Sequence, residues 1–218
     1  MKITWLGHSA FLLEESTGTT VVTDPYGESI VGYRMRQVTA DAVTLSHHHR
    51  DHDEVSRVAG SPQVFDTVGA WEVKGVDITS MHSWHDPEQG GKRGPNLIFK
   101  YRMDGVDLCH LGDIGEECGA ETGDLIGTVN VLMIPVGGNY TIDAAQAKEY
   151  VDFLMPDIVI PMHFRTPSCA VDIGRLDDFL DLFDDEQIVR VDGDTLEVDR
   201  EYFDGDSTKV IVFSDRDF

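Results

Sequence analysis

Nine residues, Ser46-His47-His48-His49-Arg50-Asp51-His52-Asp53-Glu54, hold the densest run of chemistry-bearing side chains in the sequence. His47, His49, Asp51 and His52 fall in the pattern His-x-His-x-Asp-His. Imidazole nitrogens and carboxylate oxygens are the donors that zinc and other first-row divalent ions accept. The preceding residues 41–45 have strand character, and residues 54–59 can continue as a helix. At the end of an extended strand, residues two apart point the same way, so His47 and His49 converge while His48 turns to solvent or loop. Asp51 and His52 are expected where the chain turns into the helix, reaching the same point from the other side. The bland alternative is a solvated, His-rich loop; the flanking strand and helix signals argue against it.

Further candidates recur immediately after other apolar runs. Asp24 follows residues 19–23, His82 follows 76–81, Asp113 follows 106–111 and His163 follows 158–161. If those strands share a direction, the loop residues at their ends meet along one edge. His82 competes with His85 for a ligand position. Its place at the strand end favours His82, leaving His85 behind the ligands or facing substrate. His110 lies inside a strand and reads as a satisfied core histidine. His8 is expected near the site. Asp24 either orients a ligand histidine from behind or serves only the Asp24-Pro25 turn.

The elements that must position these residues can be traced along the chain. Three short strands at residues 2–6, 10–15 and 19–23 form a meander. Further strands are expected at 42–45, 63–66 and 76–81, with a short helix at Ala70-Trp71-Glu72. A hairpin at 97–111 turns on Asp104-Gly105, a strong turn signal. A strand at 129–135, an amphipathic helix at 143–154 and a strand at 158–161 follow. A helix at 175–183 and strands at 188–191, 196–198 and 209–213 close the chain. No low-complexity linker interrupts residues 1–218, which are expected to form a single domain of two mixed sheets with helices outside, a four-layer α/β sandwich.

The 218 residues are 41% hydrophobic, enough for a full core. Seventeen basic against forty acidic residues give a formal charge of −23, which argues against binding nucleic acid or an anionic membrane. The acidic pairs of the tail, such as Asp177-Asp178, read as solvated faces. Three cysteines without a CxxC pair argue against a disulfide framework. No apolar run approaches the roughly 20 residues of a membrane span, and the first residues read as a strand rather than a signal peptide. A soluble, cytoplasmic protein is expected; its oligomeric state is not readable.

The order His47-x-His49-x-Asp51-His52, His82, Gly112-Asp113, His163 resembles the metallo-β-lactamase superfamily. More narrowly, Trp5-Leu6-Gly7-His8-Ser9, Thr23-Asp24-Pro25 and Pro161-Met162-His163 resemble its branch of ascorbate-6-phosphate lactonase-like proteins and N-acyl phosphatidylethanolamine phospholipase D. The resemblance runs from about Lys2 to Arg165. It implies an αββα sandwich and two metal ions, with His47, His49 and His82 on the first, Asp51, His52 and His163 on the second, and Asp113 bridging. Donor chemistry agrees: seven mixed ligands exceed one tetrahedral zinc and suit two ions sharing a carboxylate and a hydroxide. Zinc is the expected metal, with manganese or iron as alternatives.

The expected reaction is hydrolysis of an ester, lactone, amide or phosphodiester of a small molecule. Asp113 clamps the ions, and Asp51 or a water returns the proton to the leaving group. Lys92, Arg93 and Arg165 flank the ligands in an otherwise acidic chain, which suggests an anionic substrate. Trp84 or Tyr140 would supply an apolar wall. A non-catalytic metal- and ligand-binding protein and a mononuclear iron oxygenase are the competing classes.

Overall fold

The computed structural model describes residues 1–198, 200–203 and 207–214. In chain order its strands begin with β1 (Lys2–Gly7), β2 (Ala10–Glu14), β3 (Thr20–Thr23), β4 (Val38–Thr39), β5 (Ala42–Thr44), β6 (Val58–Ala59), β7 (Gln63–Phe65) and β8 (Gly69–Val73). They continue with β9 (Val76–Trp84), β10 (Pro95–Met103), β11 (Val106–His110), β12 (Val131–Pro135), β13 (Ile158–Met162), β14 (Ile188–Val191), β15 (Thr195–Glu197) and β16 (Lys209–Phe213). The α-helices among the described residues are α1 (Glu28–Val31), α2 (Ala120–Ile126), α3 (Ala144–Leu154) and α4 (Asp177–Leu180).

Strand alternation sorts these elements into two facing sheets. One has the order β15-β1-β2-β3-β5-β7 and the other β14-β16-β13-β12-β11-β10-β9-β8. Inward side chains of both interleave: Ile3, Phe11, Leu13 and Val21 from the smaller sheet meet Ile78, Phe99, Met133 and Ile160 from the larger in one buried cluster. Each fully buried Leu, Ile or Phe of this kind contributes ~1.5–3 kcal/mol. The central strands β12 and β13 are buried along their whole length, as parallel strands covered on both faces must be. Their outer side chains, with Leu111 and Val210, pack under Ala147, Tyr150 and Val151 of α3 and Phe179 of α4. A reciprocal capping box starts α3: the Gln146 backbone N–H donates to the Asp143 side chain at 2.9 Å, and the Asp143 N–H donates to the Gln146 side chain at 3.1 Å.

The sandwich is lopsided. Among the described residues, only the four-residue α1, the β4–β6 ribbon and irregular chain lie over the smaller sheet, where they bury Leu6, Val22 and Val43 beneath Tyr26, Val31, Tyr33 and Met35. Residues 54–59, expected as a helix, make one 3-10 turn at Val55–Arg57 and then pair as β6. Ala70-Trp71-Glu72 is strand, not helix, because Trp71 stacks on Phe65 at 4.6 Å while β8 zips along β9. The helix expected at 175–183 keeps α-form only over Asp177–Leu180. Strand β9 runs to Trp84, three residues beyond the expected end.

Candidate metal centre

Strand direction decides what can meet. In the smaller sheet β1 is antiparallel to β2, β2 to β3, and β3 parallel to β5, so β1, β3 and β5 all run the same way. In the larger sheet the same reasoning aligns β9, β11 and β13. His8, Asp24 and His47 follow the first three strands; His85, Asp113 and His163 follow the second three. The turn at residues 49–52, closed by the His52 N–H donating to the His49 carbonyl at 2.9 Å, adds Asp51 and His52.

Three of these residues sit in the left-handed region, His8 at φ 51°, Asp24 at φ 37° and His163 at φ 51°. Such a conformation costs about 1–3 kcal/mol for a non-glycine residue and persists only where surroundings enforce it. Here they do. The His8 N–H donates to the Tyr33 hydroxyl at 3.0 Å, and the His8 carbonyl accepts from the Trp5 indole at 3.1 Å and from the His163 N–H at 3.4 Å.

The centre is organised about one oxygen. Asp113 Oδ2 lies 3.2 Å from His52 Nε2, 3.3 Å from His163 Nε2, 3.4 Å from His85 Nε2 and 3.8 Å from His47 Nε2. Donor atoms of His47, His49 and His85 lie within 4.8 Å of one another, as do those of His8, Asp51, His52 and His163. His47 Nε2, His52 Nε2 and Asp113 Oδ1 are buried without a hydrogen-bond partner among the described residues. Orphaned buried donors and acceptors are costly, and a cluster aimed at one point is satisfied by a shared cation. The nitrogen and oxygen donor set fits a divalent first-row ion.

The supporting bonds also fix which imidazole nitrogen faces the centre. Asp24 accepts from the Ser46 N–H at 2.7 Å and the Ser46 hydroxyl at 2.5 Å, and its Oδ2 lies 3.0 Å from His52 Nδ1. Having given its proton to Asp24, the Ser46 hydroxyl must accept from His47 Nδ1, 2.9 Å away. Both Nδ1 atoms therefore carry hydrogen, and both Nε2 atoms turn inward as the positions a cation could take. Asp24 also belongs to a triplet with His47 and His52 close enough to share an ion. Its oxygens are already engaged by Ser46 and His52.

Asp113 is set with equal care. Its N–H donates to Asn96 Oδ1 at 2.9 Å, while the Asn96 amide donates to Ser83 Oγ at 2.7 Å and to the Leu111 carbonyl at 2.9 Å. His110 accepts from the Gly112 N–H through Nδ1 at 3.1 Å and donates from Nε2 to the Ser9 carbonyl at 2.9 Å. It is the satisfied core histidine expected, and it anchors the turn to Asp113. Gly112 has φ 58°, and a Cβ there would stand 2.4 Å from Asn96 Oδ1 and 2.5 Å from Ser46 Cβ.

Burial and charge oppose each other at the centre. Burial lowers His8 to about 4, with His163 adding to the effect, and lowers His47 and His85 as well. Burial works against ionising Asp113, yet His163 and His52 hold its carboxyl well below the usual range. Asp51 is lowered likewise: burial opposes, while His52 and the bond to His8 prevail. His52 is the exception. Burial would lower it, but Asp113, Asp24 and Asp51 raise it well above an ordinary imidazole.

His47, His49, Asp51, His52, Asp113 and His163 are thus brought together, and His8 and Asp24 lie against them. His82 is not with them; His85 is. The cause is the longer β9, which keeps His82 on the strand, exposed, with its ring 4.2 Å from Trp84, and delivers His85 to the edge. Before the centre opens a cleft of about 550 Å³, lined among others by His49, His85, Arg93, Tyr140 and Val171. Arg93 lies over the Tyr140 ring at 5.4 Å and donates to the Asn139 carbonyl at 2.9 Å. Lys92 instead pairs with Glu88 at 2.6 Å, and Trp84 and Arg165 do not line this cleft. His48 is exposed, as expected. Ser46 and Asn96 were not singled out in the sequence. Ser46 adjoins the histidine run, but nothing local marks Asn96, whose role depends on β10 pairing with β9.

Two facing mixed sheets with a metal-binding centre at one edge define a recognisable class of protein. A family model described as a beta-lactamase superfamily domain matches residues 2–163, and the chain belongs to this metallo-β-lactamase superfamily. It is similar to a UPF0173 metal-dependent hydrolase of Carboxydothermus hydrogenoformans, with 32% identity over 209 residues covering 82% of this chain and 91% of the relative. A UPF0173 metal-dependent hydrolase of Thermococcus kodakarensis is 29% identical over 202 residues, covering 79% and 88%. A crystal structure from Thermotoga maritima, described as a Zn-dependent hydrolase of the same superfamily, superposes with a TM-score of 0.79 at 38% identity over 97% of each chain. The chain is a metal-dependent hydrolase of this superfamily. No helix among the described residues is long and apolar enough to cross a membrane.

Proposed function

We propose that the chain is a single-domain hydrolase with a dinuclear centre. In it His47, His49 and His85 would hold one ion, Asp51, His52 and His163 would hold the other, and Asp113 would serve both. The observation that carries this reading is the position of Asp113 Oδ2, 3.2–3.8 Å from the Nε2 atoms of four histidines drawn from both triplets. Zinc, named for the Thermotoga maritima relative, is the metal proposed. A pair of such ions would supply Lewis acidity and an activated water near neutral pH.

The residues of the chain do the rest. Asp24, through Ser46 and directly, keeps Nδ1 protonated on His47 and His52 so that their Nε2 atoms remain ligands. Asp51, with Oδ2 3.4 Å from His8 Nε2, is ionised and is the carboxylate placed to take the attacking water's proton and pass it to the leaving group. Arg93, braced by Asn139 and Tyr140, lies at the cleft for a substrate carboxylate or phosphate, and Tyr140 forms an apolar wall. The cleft volume of about 550 Å³ suits a small molecule. The lactonase- and phosphodiesterase-like branch that residues 5–9, 23–25 and 161–163 resemble supplies the candidate bonds: lactone, acyl ester and phosphodiester.

The test is a screen of those three bond types with the metal-loaded protein, repeated after chelation and in Arg93→Ala. Hydrolysis that disappears on chelation, with an anionic ester losing about 10–100-fold more than its neutral analogue in Arg93→Ala, is the expected outcome. Undiminished hydrolysis after complete metal removal would sink the proposal.

A further inference from the structure

Arg165, expected beside the substrate, instead lines a second cavity of about 430 Å³ together with Arg175, Thr166, Trp5, Phe164 and Phe213. The volume lies within the range of about 300–1,000 Å³ typical of small-molecule sites. Its apolar part is aromatic: Phe164 and Phe213 each stack on Trp5, with ring centroids 5.5 Å and 6.4 Å away. Its charge is fixed by the backbone. Arg165 and Arg175 are joined by a parallel bridge, with the Arg165 N–H donating to the Gly174 carbonyl at 2.8 Å, so two guanidinium side chains share one rim. In a chain of formal charge −23 such a pair is unusual, and Asp177, which engages Arg175, offsets part of one charge only.

A second observation points to a ligand. Thr166, which lines the same cavity, is 5% exposed, and its Oγ1 is buried with no hydrogen-bond partner among the described residues. A buried hydroxyl without a partner is disfavoured by about 1–3 kcal/mol unless something in the cavity bonds it. Aromatic surface, a twin-arginine rim and a waiting hydroxyl together select one chemistry. We infer that this cavity is a binding site for a small aromatic anion, its ring against Phe164 and Trp5 and its acidic group on Arg165, Arg175 and the Thr166 hydroxyl. The site stands independently of the hydrolytic reading. It also abuts the back of the metal centre, because Phe164 directly follows His163 and the Trp5 indole donates to the His8 carbonyl.

Calorimetric titration of the metal-loaded protein with 1-naphthalenesulfonate tests the inference, since a sulfonate is a poor metal ligand and an adequate arginine partner. One saturable site is expected, weakened at least about tenfold in Arg165→Ala/Arg175→Ala and measurably in Thr166→Val, and retained in Arg93→Ala. Neutral 1-naphthalenemethanol should bind at least about tenfold more weakly than the sulfonate. Both arginines are exposed, so unchanged melting temperature and metal content in the double variant serve as the folding control. Binding lost in Arg93→Ala but kept in the double variant, equal binding of the neutral analogue, or no saturable heat would each overturn the assignment.

Discussion

At the scale of single residues, the ligand set rests on which histidine of the β9 exit reaches Asp113. His85 Nε2 is 3.4 Å from Asp113 Oδ2, whereas His82 packs against Trp84. His85→Ala should therefore retain about one metal equivalent fewer than the parent by elemental analysis and lose at least about 100-fold in turnover, while His82→Ala should keep its full metal content. The reverse result would restore His82. The His-x-His-x-Asp-His run was legible in the sequence because a strand end and a tight turn impose its geometry locally. The His82–His85 choice was not, because it depends on where β9 stops. One signal existed: β3 ends just before Asp24-Pro25, and β9 ends one residue short of Asp86-Pro87, so the proline marks the strand exit better than the last aliphatic residue does.

At the scale of elements, the site depends on turns that carry strain. Gly112 lets the chain leave β11 at φ 58° between Asn96 and Ser46, where no Cβ fits. Gly112→Ala combines overpacking with left-handed strain, an expected cost of about 2–4 kcal/mol. In a chain of this length that lowers the melting temperature by roughly 5–10 °C. Thermal denaturation of the metal-free protein reads the packing cost alone, and a change within about 1 °C would contradict the account. The strands feeding the site were legible from alternation and turn residues. The helix expected over residues 54–59 was not, because the Glu54 N–H donates to the Pro25 carbonyl and β6 pairs with β4, tertiary contacts that override a local helical pattern.

At the scale of the whole molecule, two sheets hold opposing halves of one charged centre, so stability and metal occupancy are both linked to pH. In the metal-free protein His8, His47 and His85 have lowered pKa values, so the unfolded chain binds protons that the fold refuses once pH drops below about 6.5. His8 alone, at about 4, accounts for a loss of about 2 kcal/mol between pH 7 and pH 5. His52 acts in the opposite sense: its raised pKa gives stability present below about 6.5 and lost as pH rises through the folded value, so it offsets only part of the loss. Asp51 and Asp113, both lowered, extend the decline as pH falls below about 4. The melting temperature of chelated protein should fall from pH 7 to pH 5, and a rise would contradict the balance. The two-sheet architecture itself was legible, since alternating strands, fully apolar central runs and ligand-bearing strand ends all pointed the same way; the thin cover over the smaller sheet was not, because irregular chain has no sequence period. The most direct check of the central claim is metal content measured by elemental analysis alongside hydrolytic turnover, in the parent and in Asp113→Asn. Two equivalents in the parent, with metal content and turnover falling together in Asp113→Asn, is the predicted result; a parent fully active with one equivalent or less, and unaffected by Asp113→Asn, would contradict it.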